Sequence, residues 1–281
     1  MLMMQQVPGL WSGGPHAQSG AYYPETYVAA SLMSTLTDLG LTTGLKLCLD
    51  AGEGDSYTSG QSWLDLSGNG YDFFLGADVN ATATDPTFNG VADALSSAEF
   101  FSFDAGDYFT YDTTNETWMQ NLHKDSAVLS FAAWVYFGSV GSTQGIFGTV
   151  GATTNTGFRI SASSSPALAL RVANAGATVL NTETSFLLSA TTWTFVAISF
   201  DEAAQVLIMR VAGGSEVDTQ SYSSPASGNA TFTAQIGSAG NAANRLSANS
   251  RIGMVAMWEG TALTEWQLEQ IYNKTRRRFG V

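Results

Sequence analysis

Charge is scarce in this sequence. Charged residues make up 12% of 281, against roughly 25% in an average soluble domain. Ser, Thr, Asn, Gly and Ala must therefore cover most of the surface. Cations are the rarest: 11 Lys and Arg stand against 24 Asp and Glu, a net charge of -13. Such a field repels phosphate backbones, which argues against a nucleic-acid partner. The single cysteine, Cys48, excludes an intrachain disulfide. It alternates with Leu45, Leu47 and Leu49 and reads as a small buried hydrophobe. Two histidines, His16 and His123, leave no Cys/His set for zinc. No run of about 18 apolar residues is present, so no membrane helix and no membrane partner is expected. No Lys or Arg precedes Lys46, so a secretory n-region is not expected either.

Apolar side chains are plentiful, with 44% hydrophobic and 12% aromatic residues. That suits one large β-sandwich. Residues 1–43 stand apart as an extended N-terminal arm. They hold two charges, Glu25 and Asp38, and a Pro/Gly/aromatic-rich stretch. Leu10, Trp11, Tyr22, Tyr23 and Tyr27 are too apolar for a free linker and need a surface to lie on. That surface is either the chain's own domain or a neighbouring subunit, which would make these five the docking residues. Val28, Leu32, Leu36 and Leu39 have helical spacing before Gly40.

Residues 44–281 read as the sandwich. Strands are predicted at 99–103, 128–137, 145–150, 157–161, 167–172, 193–200, 205–211 and 252–258, separated by turn clusters such as Ser67-Gly68-Asn69-Gly70. The segments 167–172 and 178–182 read as a hairpin across Asn174 and Gly176. A terminal helix is predicted over 264–278. Thr264 and Gln267 form its capping box, Leu263 and Leu268 its staple, and Gly280 its stop. Lys274, Arg276, Arg277 and Arg278 then complement the helix dipole.

Five segments in order resemble the laminin-G-like, concanavalin-A-like jelly-roll family: Leu49-Asp50-Ala51-Gly52 with Trp63 to Gly70, Gly106-Asp107-Tyr108, the strand with Trp134, the strand with Trp193 and Asp201, and the closing strand with its helix. The resemblance implies an all-β antiparallel sandwich with a short C-terminal helix. It also implies a module of the kind found in bacteriophage structural proteins. The expected function is that of a non-enzymatic virion protein, a capsid decoration, fibre or tail-associated module. Made in the host cytoplasm, it would dock on other virion proteins by its arm, and an oligomer is compatible with that. The alternative is a lectin module that binds a host-surface glycan, with calcium as its candidate cofactor though none is required.

Glucanase relatives of the fold place Glu-x-Asp-x-Glu or Glu-x-Asp-x-x-Glu on one strand. Here Glu53-Gly54-Asp55 and Glu216-Val217-Asp218 both lack the last carboxylate, and no catalytic residue is expected. His16 lies in the arm and His123 in a polar, solvated loop before Lys124-Asp125, and neither stands beside a nucleophile motif. Asp50, Asp65, Asn69 and Asp107 are candidate calcium ligands, since carboxylate and amide oxygens in loops suit that ion. The competing reading makes them ordinary turn formers. Trp63, Tyr71, Trp118 and Tyr222, with Trp266, are candidates for stacking on a sugar. Trp134, Trp193 and Trp258 lie in apolar strands and read as core.

Overall fold

Some strands of this chain are apolar throughout and others alternate, and the two patterns build two different sheets. The computed structural model describes residues 29–151 and 155–281. Leu10, Trp11, His16, Tyr22, Tyr23 and Tyr27 therefore lie outside the described residues. In chain order come α1 (Leu32–Asp38), β1 (Leu45–Asp50), β2 (Ser62–Trp63), β3 (Phe73–Leu75), β4 (Thr87–Asn89), β5 (Phe100–Phe103) and β6 (Phe109–Tyr111). Next are α2 (Thr117–Asn121), β7 (Val128–Tyr136), β8 (Gln144–Gly148), β9 (Gly157–Ala162), β10 (Ala167–Asn174) and β11 (Ala177–Leu187). The chain closes with β12 (Trp193–Asp201), β13 (Val206–Val211), β14 (Gly214–Thr219), β15 (Gln235–Ile236), β16 (Ser250–Glu259) and α3 (Glu265–Thr275).

The first sheet runs β14-β13-β12-β7-β16-β5-β4, with β1 also paired to β16. The second runs β11-β10-β9-β8-β15-β6-β3-β2. All strand pairs are antiparallel, so the expected sandwich is the observed one. β7, β12 and β16 are apolar at nearly every position because their sheet is covered twice. One face, with Phe131, Val135, Ile198, Val255 and Met257, meets the second sheet. The other, with Trp134, Phe195, Met254 and Trp258, meets α1 and α3. Strands buried on both faces need no polar alternation. The second sheet alternates: Phe158, Ile160, Leu170 and Val172 point into the core, which turns Arg159, Ser161 and Arg171 outward.

The terminal helix carries the expected capping box, with the Thr264 side chain accepting from Gln267 N and the Gln267 side chain from Thr264 N. Leu263 and Leu268 are both buried. A 3₁₀ turn, Arg276–Phe279, follows, and Gly280 ends it at φ 74°. The Trp134 indole donates to Thr275 Oγ1 at 2.8 Å and stacks on Phe279 at 4.5 Å, fastening this segment to β7.

Three expectations need correction. The arm does not extend to residue 43. Leu32, Leu36 and Leu41 are buried under the first sheet, and Trp258 Nε1 donates to Leu41 O at 2.7 Å, so residues 29–43 belong to the sandwich. The C-terminal basic run does more than complement a dipole. Arg278 is fully buried and paired with Asp50, Nη2 lying 2.8 Å from Oδ1 and Nη1 donating to Oδ2 at 2.9 Å. His123 is not in a solvated loop. It is wholly buried, Nε2 lies 3.1 Å from Gly228 O, and desolvation lowers its pKa.

Candidate functional site

Asp50, Asp65, Asn69 and Asp107 turn out to be scaffolding. Asp50 accepts from Leu32 N at 2.8 Å and Gly52 N at 2.9 Å, besides its pairing with Arg278. It therefore ties α1 and the chain's last residues to the end of β1. Asp65 Oδ1 accepts from Cys48 N and Ser67 N, each at 2.9 Å. Its Oδ2 accepts from Ser67 Oγ at 2.6 Å and Tyr71 N at 3.2 Å. The Asn69 amide donates to the carbonyls of Leu45 at 3.1 Å and Lys46 at 3.0 Å. Gly68 and Gly70 take positive φ in that turn, a conformation that favours glycine. Asp107 lies elsewhere, its Oδ2 accepting from Asp104 N at 2.9 Å. Desolvation, then the nearby Asp104 and Asp85 charges, raise its pKa to about 7. Among the described residues no three His, Cys, Asp or Glu side chains are placed to hold a metal. The four expected ligands are not brought together: Asp50 pairs with Arg278, Asp65 and Asn69 hold their own turn, and Asp107 stands beside Asp104.

The loop pinned by Asp65 and Asn69 presents Tyr71. Beside it α2 presents Trp118, the two rings 5.5 Å apart and tilted by 35°. They line a cavity of about 240 Å³ together with Lys46, Glu116, Asn121 and Glu259. Lys46 Nζ lies 3.7 Å from Glu259 Oε2, and Asn121 Nδ2 donates to Glu259 Oε1 at 3.0 Å. Tyr111 Oη donates to Glu116 Oε1 at 3.4 Å. Burial, then the charges of Glu116, Asp65 and Glu259, raise the Tyr71 pKa, so its hydroxyl stays protonated. Trp118 is 4% exposed, and its Nε1 is buried without an acceptor. The partly exposed Tyr71 ring, bordered by amide, carboxylate and ammonium groups, can stack on one sugar ring while those groups hydrogen-bond to it.

Two of the four expected sugar-stacking residues thus meet here, and two do not. Trp63 is fully buried between Phe101 and Phe109, at 4.8 and 5.0 Å. Tyr222 is buried against Phe200, and its hydroxyl donates to Leu122 O at 2.8 Å. Both are core, because strand and loop geometry turns them inward. Trp266 is exposed on α3, away from the Tyr71 cavity. Lys46, Glu116, Asn121 and Glu259 were missed, since only the fold brings residue 46 beside residue 259. Glu53 and Asp55 face α1 in a separate cavity with Asp38. Glu216 is taken up by Ser185, accepting from its N at 2.9 and 3.0 Å and from its Oγ.

A family model described as the concanavalin A-like lectin/glucanases superfamily matches residues 105–268, more than half of the chain. No curated protein matches the sequence. Among solved structures, a botulinum neurotoxin type C chain, described for cell entry through two ganglioside molecules, is similar at TM-score 0.56 and 14% identity. The match covers 84% of this chain and 52% of that one, so the chain spans about half the toxin chain's length. Domain 4 of an extracellular arabinanase from Geobacillus stearothermophilus, in complex with arabinotriose, is similar at TM-score 0.53 and 14% identity, covering 81% of this chain and 98% of that one. A Trypanosoma rangeli sialidase matches at 0.50 and 12%, covering 81% of this chain and 32% of that one. At such identities the likeness is one of fold.

Proposed function

The chain belongs to the concanavalin A-like lectin/glucanases superfamily, and from that premise we propose that it is a non-catalytic carbohydrate-binding module whose sugar contacts lie at the Tyr71–Trp118 cavity. The observation that carries this reading is the partly exposed Tyr71 ring, held against Trp118 at 5.5 Å in a cavity lined by Lys46, Glu116, Asn121 and Glu259. The arabinotriose-bound and ganglioside-described structures of the same fold support a saccharide as the ligand. A glycan array followed by calorimetry tests it. Tyr71→Ala should weaken the selected oligosaccharide about tenfold, a loss of roughly 1.4 kcal/mol, with the fold retained at a somewhat lower thermal midpoint because the ring also packs on Tyr111 and Trp118. Unaltered affinity in that variant rules out the cavity.

The same proposal places the module on a phage particle, with residues 1–28 docking on another virion protein. Its support is the charge-poor, aromatic-rich composition of that segment and the family resemblance of the sandwich. Deleting residues 1–28 should leave a folded sandwich that no longer joins the particle. Normal incorporation would refute the docking role.

A further inference from the structure

We propose that the outward face of the second sheet carries a separate site for an acidic saccharide, in which the Arg159 and Arg171 guanidiniums take a carboxylate or sulfate group. The choice of a saccharide as carrier of that anion rests on the carbohydrate reading above; the site and the ligand's charge go beyond it.

Arg159 and Arg171 are direct cross-strand partners on β9 and β10. Like charges placed opposite each other destabilise a strand pair, and among the described residues no carboxylate forms an ion pair with either arginine. The ion pairs among the described residues are Lys46–Glu259 and Arg278–Asp50, which involve neither arginine. Glu183 is the carboxylate nearest in register, opposite Ala169, and it accepts from Ser163 Oγ at 2.9 Å. Arg171 Nη2 donates to Thr178 Oγ1 at 3.2 Å. The Nε atoms of both arginines are buried without an acceptor. So is the Oγ of Ser161, a residue 1% exposed that stands two positions from Arg159 on the same face. Arg210, by contrast, donates to the carbonyls of Ala212 and Gly213, and Arg251 lies over the rings of Phe100 and Tyr136; Arg245 also has an Nε without an acceptor, but it lies over the Tyr108 ring with no second arginine opposite it in a strand pair. Burial, then the neighbouring Arg171, lowers the Arg159 pKa to about 10, which leaves it charged at neutral pH.

The sheet continues the site away from the pair. Gly148 stands opposite Arg159, then Gln235, then Thr110. A Cβ at Gly148 would lie 2.8 Å from the Arg159 Cβ, so the glycine leaves room for the arginine. Gln235 and Thr110 line a cavity of about 210 Å³ with Tyr108, Phe232 and Asn241. Gln235 is two strand spacings, about 10 Å, from Arg159. Guanidiniums match two oxygens of a carboxylate or sulfate with paired donors, while aromatic and amide groups suit the ring of a neighbouring sugar. The net charge of -13 disfavours a nucleic acid as the source of the anion.

The test follows the Nε–H resonances of Arg159 and Arg171 by NMR in the full chain at constant ionic strength. Glucuronate should shift both saturably, and glucose should shift neither. Trigalacturonate should bind about tenfold tighter than galacturonate, because it also reaches the Gln235 cavity. Arg171→Gln should abolish saturation while holding or raising the thermal midpoint, since it relieves the like-charge contact. Sulfate that saturates the same resonances alongside glucuronate supports recognition of the oxyanion. Saturation by sulfate with none by either uronate overturns the saccharide, and silence toward all of them overturns the site. An intact Tyr71-dependent response with silent arginines sinks this inference alone. Responsive arginines with unaltered affinity in Tyr71→Ala sink only the other reading.

Discussion

Arg278→Met should be among the most damaging single substitutions in this chain, although only three residues follow the arginine. Both side chains of the Arg278–Asp50 pair are wholly buried. The methionine would leave the Asp50 carboxylate with two backbone N–H groups and no cation. Breaking a buried pair by removing one partner costs about 3–5 kcal/mol. For a domain of this size each kcal/mol moves the midpoint by roughly 2–4 °C, so the variant should melt about 6–20 °C lower. Asp50→Asn should cost a similar amount, since it strands the guanidinium. The double variant should recover most of the loss, because replacing both members of a buried pair is often close to neutral. An amide in place of the Asp50 carboxylate would still offer only one carbonyl oxygen to Leu32 N and Gly52 N, leaving about 1–2 kcal/mol unrecovered. Urea titrations of the four proteins close the cycle. Single-variant effects that add to within about 0.5 kcal/mol would show that the two groups do not act as a pair.

Asp107 should make stability fall with rising pH. Its folded pKa of about 7 lies above the roughly 3.9 of an unfolded aspartate. The folded state therefore holds the proton more tightly, and the stabilisation present below about pH 4 is lost as pH rises through 7. Asp107→Asn should flatten the urea midpoint across that window, and a pH-independent offset from wild type would refute the assignment. Gly253→Ala would place a Cβ 2.7 Å from Phe279 Cε1 and 2.9 Å from Cζ. That ring is held by Trp134 and Trp193 and cannot step aside, so the overpacking should cost about 1–3 kcal/mol. An unchanged urea midpoint would show that the ring yields.

The long strands and the terminal helix were legible because they announce themselves locally. Nine apolar-rich residues in β7, or Thr264 with Gln267 before Leu268, leave little choice of structure. β2, β3, β4, β6 and β15 are two or three residues long, too short to display a period. β14 is a polar edge strand whose Glu216 and Asp218 read instead as half of a catalytic motif. Trp63 shows why the sugar-binding candidates divided as they did. It is fully buried while its neighbour Leu64 is 42% exposed, and hydrophobicity alone cannot say which of two adjacent apolar residues faces inward. Asp50 and Asp65 carried the right chemistry, oxygen acceptors at turns, but their partners are a guanidinium and backbone amides. Arg278 lies 228 positions from Asp50, and no spacing rule connects them.

Packing of α1 and α3 decides where this sandwich can meet a ligand. A sheet in this fold has an inner face, which is core, and an outer face, which is free unless something covers it. Here Leu32, Leu36, Leu268 and Ile271 close the outer face of the first sheet, whereas the outer face of the second sheet keeps Arg159 and Arg171 partly exposed among small buried residues such as Ser161 and Ala169, and cavities open beside Tyr71 and Gln235. Both proposed contacts fall there. The scarcity of cations sharpens the point: with 11 Lys and Arg set among 24 acidic residues, a cation has an excess of carboxylates from which to find a partner. Two adjacent arginines that lack one are then not a by-product of a crowded basic surface. Such a contact persists in a stable fold only if the rest of the sheet offsets it, and it becomes favourable once an anion occupies the gap.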